Sequence, residues 1–261
     1  MAGTSSVLGF IGVGVFAAYT IKALRRSGMD GRIVLSPRGR DMAAELGANW
    51  GCEIAGDNQA VADAADMVIV AVKPKDVDTA LAGLRFHSAQ TVVSGVAGVS
   101  LARLKSLMPE AGAIVRIMPA AFVETGLGLF PIYPANEAVE QLFAPAGTVV
   151  SFDTEEQFGT ALLGACLSGW TYRFCEELVR AFRAYGISEE QARLLVLGNV
   201  RGTVNYVMET PTRSLREFSD MIAAEGTYTK AGLDVLMAAD PMAGWRAALE
   251  TVQTLRRKNE G

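Results

Sequence analysis

An α/β domain with a doubly wound, mainly parallel sheet, followed by an all-helical domain, is the fold this sequence predicts. Three observations carry it. Short, continuous apolar runs alternate with helical stretches through the first half of the chain, and a glycine pattern joins the first run to the first helix. After Thr154 no strand-like run occurs, only long segments with apolar residues at helical spacing. The predicted division is residues 1–154 for the sheet domain and 155–261 for the helical one.

Each element follows from its local pattern. VLGFIG (7–12) reads as a strand, and Val15 to Arg26 as a helix stopped at Ser27-Gly28. RIVLS (32–36) is a second strand, and RDMAAELGA a second helix ending at Gly47. DMVIVAV (66–72), TVVSGVA (91–97) and AIVRIM (113–118) are each a continuous apolar run rather than an alternating one, the mark of strands buried on both faces. In the second domain EQFGTALLGACLSGWTYRFCEELVRAFRAYG reads as one helical run and SEEQARLLVLGNVRGTVNYVME as another. Ser188 opens the latter, with Gln191 three positions on, an S-x-x-Q capping signal. These helices are unusually apolar, with Gly and Ala spread through them. That predicts burial against another subunit or against the first domain.

Composition narrows the function. A net charge of −4 over 261 residues gives no footprint for nucleic acid. Cys52, Cys166 and Cys175 are odd in number and lack C-x-x-C spacing, which argues against a disulfide framework or zinc site and for a reducing cytoplasm. No metal site is expected. The single histidine, His87, lies in the polar stretch RFHSAQ and reads as a surface loop residue rather than a catalytic base. The apolar run 7–19 has no basic segment before it and is too short for a bilayer, so a soluble protein is expected.

Gly12-Val13-Gly14 follows the first strand and opens the first helix, with Ala17 at the third small position of G-x-G-x-x-[GA]. In that setting Gly12 permits the tight turn and Gly14 lets backbone approach a pyrophosphate. Ala17 allows close helix–strand packing, and the helix N-terminus presents free N–H groups to the phosphates. This is the fingerprint of a dinucleotide-binding Rossmann domain. At the end of the second strand stands LSPRGR, with Ser36, Arg38 and Arg40 and no carboxylate before Asp41. Such hydroxyl and guanidinium groups suit a 2′-phosphate, so NADPH is expected over NADH.

These motifs resemble those of the pyrroline-5-carboxylate reductases and their imine-reducing relatives. GFIGVGVFA is similar to that family's GFIGxGNMA, and Ser36 and Arg38 to its phosphate-binding S-x-R. GDNQAVADAADMVIVAVKP resembles a further characteristic stretch, SGVAGVSLARL the S-x-x-AGV-x-x-x-L, and RIMPAAFVETGLG the R-x-MPN-x-P-x-x-x-x-G. CLSGWTYRF stands in place of SGSGPAY, and AAEGTYTKAGLDVL in place of SPGGTT-x-x-GL-x-x-L. The resemblance spans nearly the whole chain. It implies a helical C-terminal domain that dimerises by interleaving with a partner, and hydride transfer to a C=N carbon in amino-acid metabolism. On the cofactor side it implies Gly12, Gly14, Val15, Phe16, Ser36, Arg38, Asn58 (beside the adenosine), Val72-Lys73-Pro74 (beneath the nicotinamide ribose) and Ala97. On the substrate side it implies Pro119, Ala120, Ser168, Trp170, Tyr172, Glu225, Gly226 and Tyr228, with Thr229 as hydrogen-bond donor to the imine or its carboxylate.

The departures fall on the substrate side. Ala120 replaces the family's asparagine, Cys166 a serine and Trp170 a proline. Ala224, Glu225 and Thr227 replace a serine, a proline and a glycine in the loop that, in the family, holds the substrate carboxylate. Glu225 beside a carboxylate would cost on the order of several kcal/mol in a low-dielectric pocket. Lys230 offers either a compensating charge or a solvated helix start. The expected function is NADPH-dependent reduction of a cyclic imine, pyrroline-5-carboxylate or another, by a homodimer. The alternative is an inactive NADP(H)-binding sensor or assembly protein. A β-hydroxyacid dehydrogenase is rejected, because 155–229 contains no lysine and arginine cannot donate a proton at neutral pH.

Overall fold

Strands with no polar face must be covered on both sides, and the computed structural model shows how. It describes residues 6–260. In chain order, β1 (Leu8–Ile11) leads to α1 (Val15–Arg26), β2 (Ile33–Leu35) to α2 (Arg40–Trp50), and β3 (Glu53–Ile54) to α3 (Asn58–Ala64). Then β4 (Met67–Val70) leads through a 3-10 turn, Pro74–Asp76, to α4 (Val77–Leu81), and β5 (Thr91–Ser94) leads to α5 (Leu101–Leu107). β6 (Ala113–Ile117) runs into a 3-10 turn at Ala121–Thr125, β7 (Gly128–Tyr133) leads to α6 (Glu137–Phe143), and β8 (Gly147–Ser151) precedes α7 (Glu155–Gly159). The remainder is helical: α8 (Ala161–Arg183), α9 (Glu189–Glu209), α10 (Leu215–Ile222), α11 (Tyr228–Ala238) and α12 (Ala243–Glu260).

The sheet has eight strands in the order β3-β2-β1-β4-β5-β6-β7-β8. All neighbours pair in parallel except β6 and β7. Strand order reverses at β1, which lies between β2 and β4, so a crevice opens at the carboxyl ends of these strands. Alternation along β1 sends Leu8 and Phe10 to a core with Ile21, Leu24 and Leu46 on one face of the sheet. Ile11 goes to a second core with Val61, Val68 and Leu81 on the other. Each such fully buried side chain contributes roughly 1.5–3 kcal/mol.

By packing, the chain divides into one compact unit, extending to Ala165 and joined by the stretch from Leu255 onward, and a second, Cys166–Thr254. In the first unit α1 ends where the Ser27-Gly28 signal places it. The second predicted helix does not stop at Gly47. It continues to Trp50 and is ended by Gly51 in the left-handed region, φ 64°. The single helical run expected from 156 to 186 is broken at Thr160, which caps α7 before α8 begins. Strands β3, β7 and β8 are absent from the sequence reading.

Within the second unit, Ser188 opens α9 through the predicted box. Its hydroxyl accepts from Gln191 N at 3.1 Å, and Gln191 Oε1 accepts from Ser188 N at 2.9 Å. Among the described residues no helix is long and apolar enough to cross a membrane.

Candidate active site

Because β1 to β6 are parallel, the loops that follow them emerge at one edge of the sheet, and the residues expected on the cofactor side gather there. Gly12 has φ 92°, and a Cβ built on it would lie 2.9 Å from the Ala71 backbone and 2.7 Å from Val72 Cγ1. Only glycine fits between the two loops. Gly14 caps α1 with no side chain, and a Cβ there would meet nothing within 4 Å. The first turn of α1 is thus uncapped and faces open space, with Val15 71% exposed. This is an anion-accepting helix start. Phe16 leans the other way: its ring fills the space over Gly95 at the end of β5, where a Cβ would overlap it.

The loop after β2 supports this turn from beneath. Ser36 is fully buried, and its hydroxyl accepts from Gly12 N at 2.9 Å. In this arrangement Ser36 ties β2 to the glycine turn and does not face outward as a phosphate ligand would. Arg38 and Arg40 are exposed on the same loop. Between them Gly39, φ 81°, sits so close to the Val13 carbonyl that a Cβ would collide with it. Sequence reasoning missed this contact, although a glycine between two arginines at a helix start was its signal.

The other cofactor-side residues border the same edge. Asn58 begins α3, with Asp57 capping that helix by accepting from Ala60 N at 2.7 Å. The Asn58 amide donates to Ala80 O at 3.0 Å, joining α3 to α4. Lys73 and Pro74 are exposed after β4, and Ala97 is exposed after β5. Pro119 and Ala120 follow β6, Pro119 buried and Ala120 half-buried. Tyr19 of α1 donates its hydroxyl to Pro119 O at 3.1 Å, a link across a hundred residues that no local pattern announces. Burial pushes the Tyr19 hydroxyl up to about 12, so it stays a neutral donor.

The helical unit holds the remaining candidates. Ser168 and Tyr172 lie on α8, Tyr172 strongly exposed. Trp170 packs edge-on against Trp245 of α12 at 6.0 Å, and Phe174 meets the same ring at 6.3 Å. At 223–230 the structure resolves what each residue does. Gly226, φ 82°, turns the chain. Thr227 caps α11: its hydroxyl accepts from Lys230 N at 3.1 Å and donates to Ala224 O at 2.7 Å. Thr229 is exposed in the first turn of α11, and Tyr228 is fully exposed. Glu225 faces outward. The Lys230 ammonium is held by both Asp234 oxygens at 2.7 Å, with Glu225 at 3.9 Å. The Asp234 hydrogen bond, then the two carboxylate charges, raise its pKa. Lys230 is therefore occupied by its own helix, a spacing of four that was legible in sequence.

Comparison with known proteins agrees with this anatomy. The family profile described as NADP oxidoreductase coenzyme F420-dependent matches residues 7–98, and that described as pyrroline-5-carboxylate reductase dimerisation matches 155–258. The pyrroline-5-carboxylate reductase of Pasteurella multocida is 30% identical over 87% of this chain and 88% of its own. That of Synechocystis is 30% identical over 97% of each. The crystal structure of 1-pyrroline-5-carboxylate reductase from Streptococcus pyogenes superposes with a TM-score of 0.82 at 25% identity, covering 97% of this chain and 98% of that one.

Proposed function

The chain belongs to the pyrroline-5-carboxylate reductase family, and on that premise we propose that it is an NADPH-dependent reductase of a cyclic C=N bond. The observation that carries the reading is the first-unit crevice. It combines an uncapped helix start behind Gly12 and Gly14 with two exposed arginines, Arg38 and Arg40, where an NAD site would place a carboxylate. These residues fit the cofactor. Gly14 and the first turn of α1 would take the pyrophosphate, and Arg38 with Arg40 the 2′-phosphate, over a turn that Ser36 braces from below. Val15, Phe16, Asn58, Val72, Lys73, Pro74 and Ala97 would line the rest of it.

NADPH, when bound, supplies the hydride to the electrophilic carbon of the C=N bond. The chain's part is orientation and polar contact at nitrogen. Pro119, Ala120, Ser168, Trp170, Tyr172, Glu225, Gly226 and Tyr228 are the residues proposed, by the family likeness, to meet the substrate. Thr229 is proposed to donate a hydrogen bond to it. Glu225 faces outward and Lys230 is paired to Asp234, so neither charge selects for or against a carboxylate on the imine.

A homodimer through the helical unit is supported by the exposed apolar residues of α9 and α11, among them Leu194, Val204, Val235 and Met237. Division of labour at residue 154 is supported by the capping box of α7 and by the dimerisation profile beginning at 155. The unpaired state of Cys52, Cys166 and Cys175 supports the cytoplasm.

NADPH oxidation with pyrroline-5-carboxylate and with carboxylate-free cyclic imines tests the reading. Turnover of at least one of the two groups is expected. Tight NADPH binding with no turnover on either would replace the reductase by a non-catalytic binder.

A further inference from the structure

The loop that follows β6 carries Pro119 and Ala120 to the carboxyl edge of the sheet, and its two ends are held by one helix. Tyr19 Oη donates to Pro119 O at 3.1 Å, and Arg26 Nη1 donates to Glu124 O at 2.6 Å. Seven residues separate the donors, so they lie two turns apart on one face of α1. Both donors are themselves braced. The Tyr19 ring packs edge-on against Phe16 at 5.4 Å, and Phe16 in turn is seated over Gly95. The Arg26 guanidinium lies 5.7 Å from the centre of the Trp50 ring. Between the two anchored carbonyls Val123 is fully buried, and Gly126, φ 79°, turns the chain into β7. Neither Tyr19 nor Arg26 belongs to the glycine pattern or to any other motif of the chain.

We infer that Tyr19 and Arg26 are positioning residues that clamp the 119–125 loop to α1, the helix whose N-terminus faces the cofactor. One rigid element thereby sets both the glycine turn and the loop bearing Pro119 and Ala120. Its kinetic consequence rests on the proposed reaction; its structural consequence does not.

The test uses full-length Tyr19→Phe, Arg26→Ala and Arg26→Lys. Three readouts are taken on each: amide hydrogen exchange over 118–126, the NADPH dissociation constant, and steady-state imine reduction. Tyr19→Phe and Arg26→Ala are expected to speed exchange in that loop by about fivefold, the effect of one net hydrogen bond. The same loss is expected in kcat/KM for the imine, while NADPH affinity stays within about twofold. Arg26→Lys, which keeps a donor in reach, restores both. Unchanged exchange in Tyr19→Phe and Arg26→Ala overturns the clamp. So does NADPH affinity falling in step with kcat/KM, which marks a general loosening of α1. If the parent protein reduces no imine, the reaction proposed above fails, and the exchange measurement alone still decides the clamp.

Discussion

Replacing Glu155 should destabilise this protein more than replacing the arginine it pairs with, even though both substitutions break the same bond. Arg116, at the end of β6, is buried, its side chain only 3% exposed, whereas the Glu155 side chain is 33% exposed. The two meet at 2.6 Å, and the same Glu155 oxygen accepts from Leu101 N, at the start of α5, at 2.6 Å. The guanidinium also lies 4.8 Å from the centre of the Phe158 ring, and its Nη2 has no hydrogen-bond partner among the described residues. Glu155→Ala leaves that charge buried with no counter-ion, a loss of about 3–5 kcal/mol. Arg116→Met leaves a carboxylate that can turn to water and still accept from Leu101, so only packing and hydrogen bonds go, about 1–2 kcal/mol. The double variant should stand near Arg116→Met alone, giving a coupling about as large as the Glu155→Ala loss itself, about 3–5 kcal/mol. Urea unfolding of the cofactor-free protein, followed by circular dichroism with m-values held common, measures all four corners. Equal losses, or a larger loss for Arg116→Met, would refute the claim that the desolvated guanidinium is the costly partner.

Other consequences are quickly stated. Arg38→Glu should raise the NADPH dissociation constant about 10- to 100-fold, the worth of a charge-assisted hydrogen bond, and leave NADH affinity nearly unchanged; fluorescence titration with both cofactors measures it. Gly39→Ala should cost roughly 1–3 kcal/mol in thermal unfolding and weaken NADPH binding together, because the new methyl needs a left-handed backbone and the space of the Val13 carbonyl. Tyr19 holds its proton up to about 12 in the fold against 10.0 unfolded, so its contribution is complete below pH 10 and lost as pH rises from there through about 12. Unfolding between pH 9 and 12 should show that loss, about 1–2 kcal/mol after allowing for the ring's partial exposure, and Tyr19→Phe should flatten it.

How much of the fold was legible depended on whether a strand was covered on both faces. β1, β4, β5 and β6 are continuous, mostly apolar runs because helices lie on either side, and the sequence displays them openly. β7 was hidden by Pro131, which argues against an inner strand because it cannot donate. Here its carbonyl serves, accepting from Met118 N at 3.0 Å, while β7 runs antiparallel to β6. β8 is an edge strand with exposed positions at Thr148 and Ser151, and β3 is two exposed residues held by pairing to β2. Gly47 misled because a glycine inside a helix costs about 1 kcal/mol and is readily mistaken for its end. The true stop lies four residues later, where φ is 64° and only Gly51 sits comfortably.

At the site, the glycine turn proposed to meet a ligand's phosphates was legible, and what holds its backbone in place was not. A G-x-G pattern advertises itself because the chemistry demands the absence of side chains. The bracing of the turn is done by ordinary residues whose partners lie far off: Ser36 on Gly12 across 24 positions, and Tyr19 on Pro119 across 100. Sequence spacing therefore assigned Ser36 to the ligand when its burial assigns it to the turn. Residues 224–230 divide their roles in the same way. Thr229 drew attention by position, yet Thr227 is the threonine committed to the backbone, capping α11 and leaving the Thr229 side chain exposed. With its hydrogen given to Ala224 O, the Thr227 hydroxyl has none left to donate to a substrate. The division between Thr227 and Thr229 is thus the reason the proposed hydrogen bond to substrate falls to Thr229.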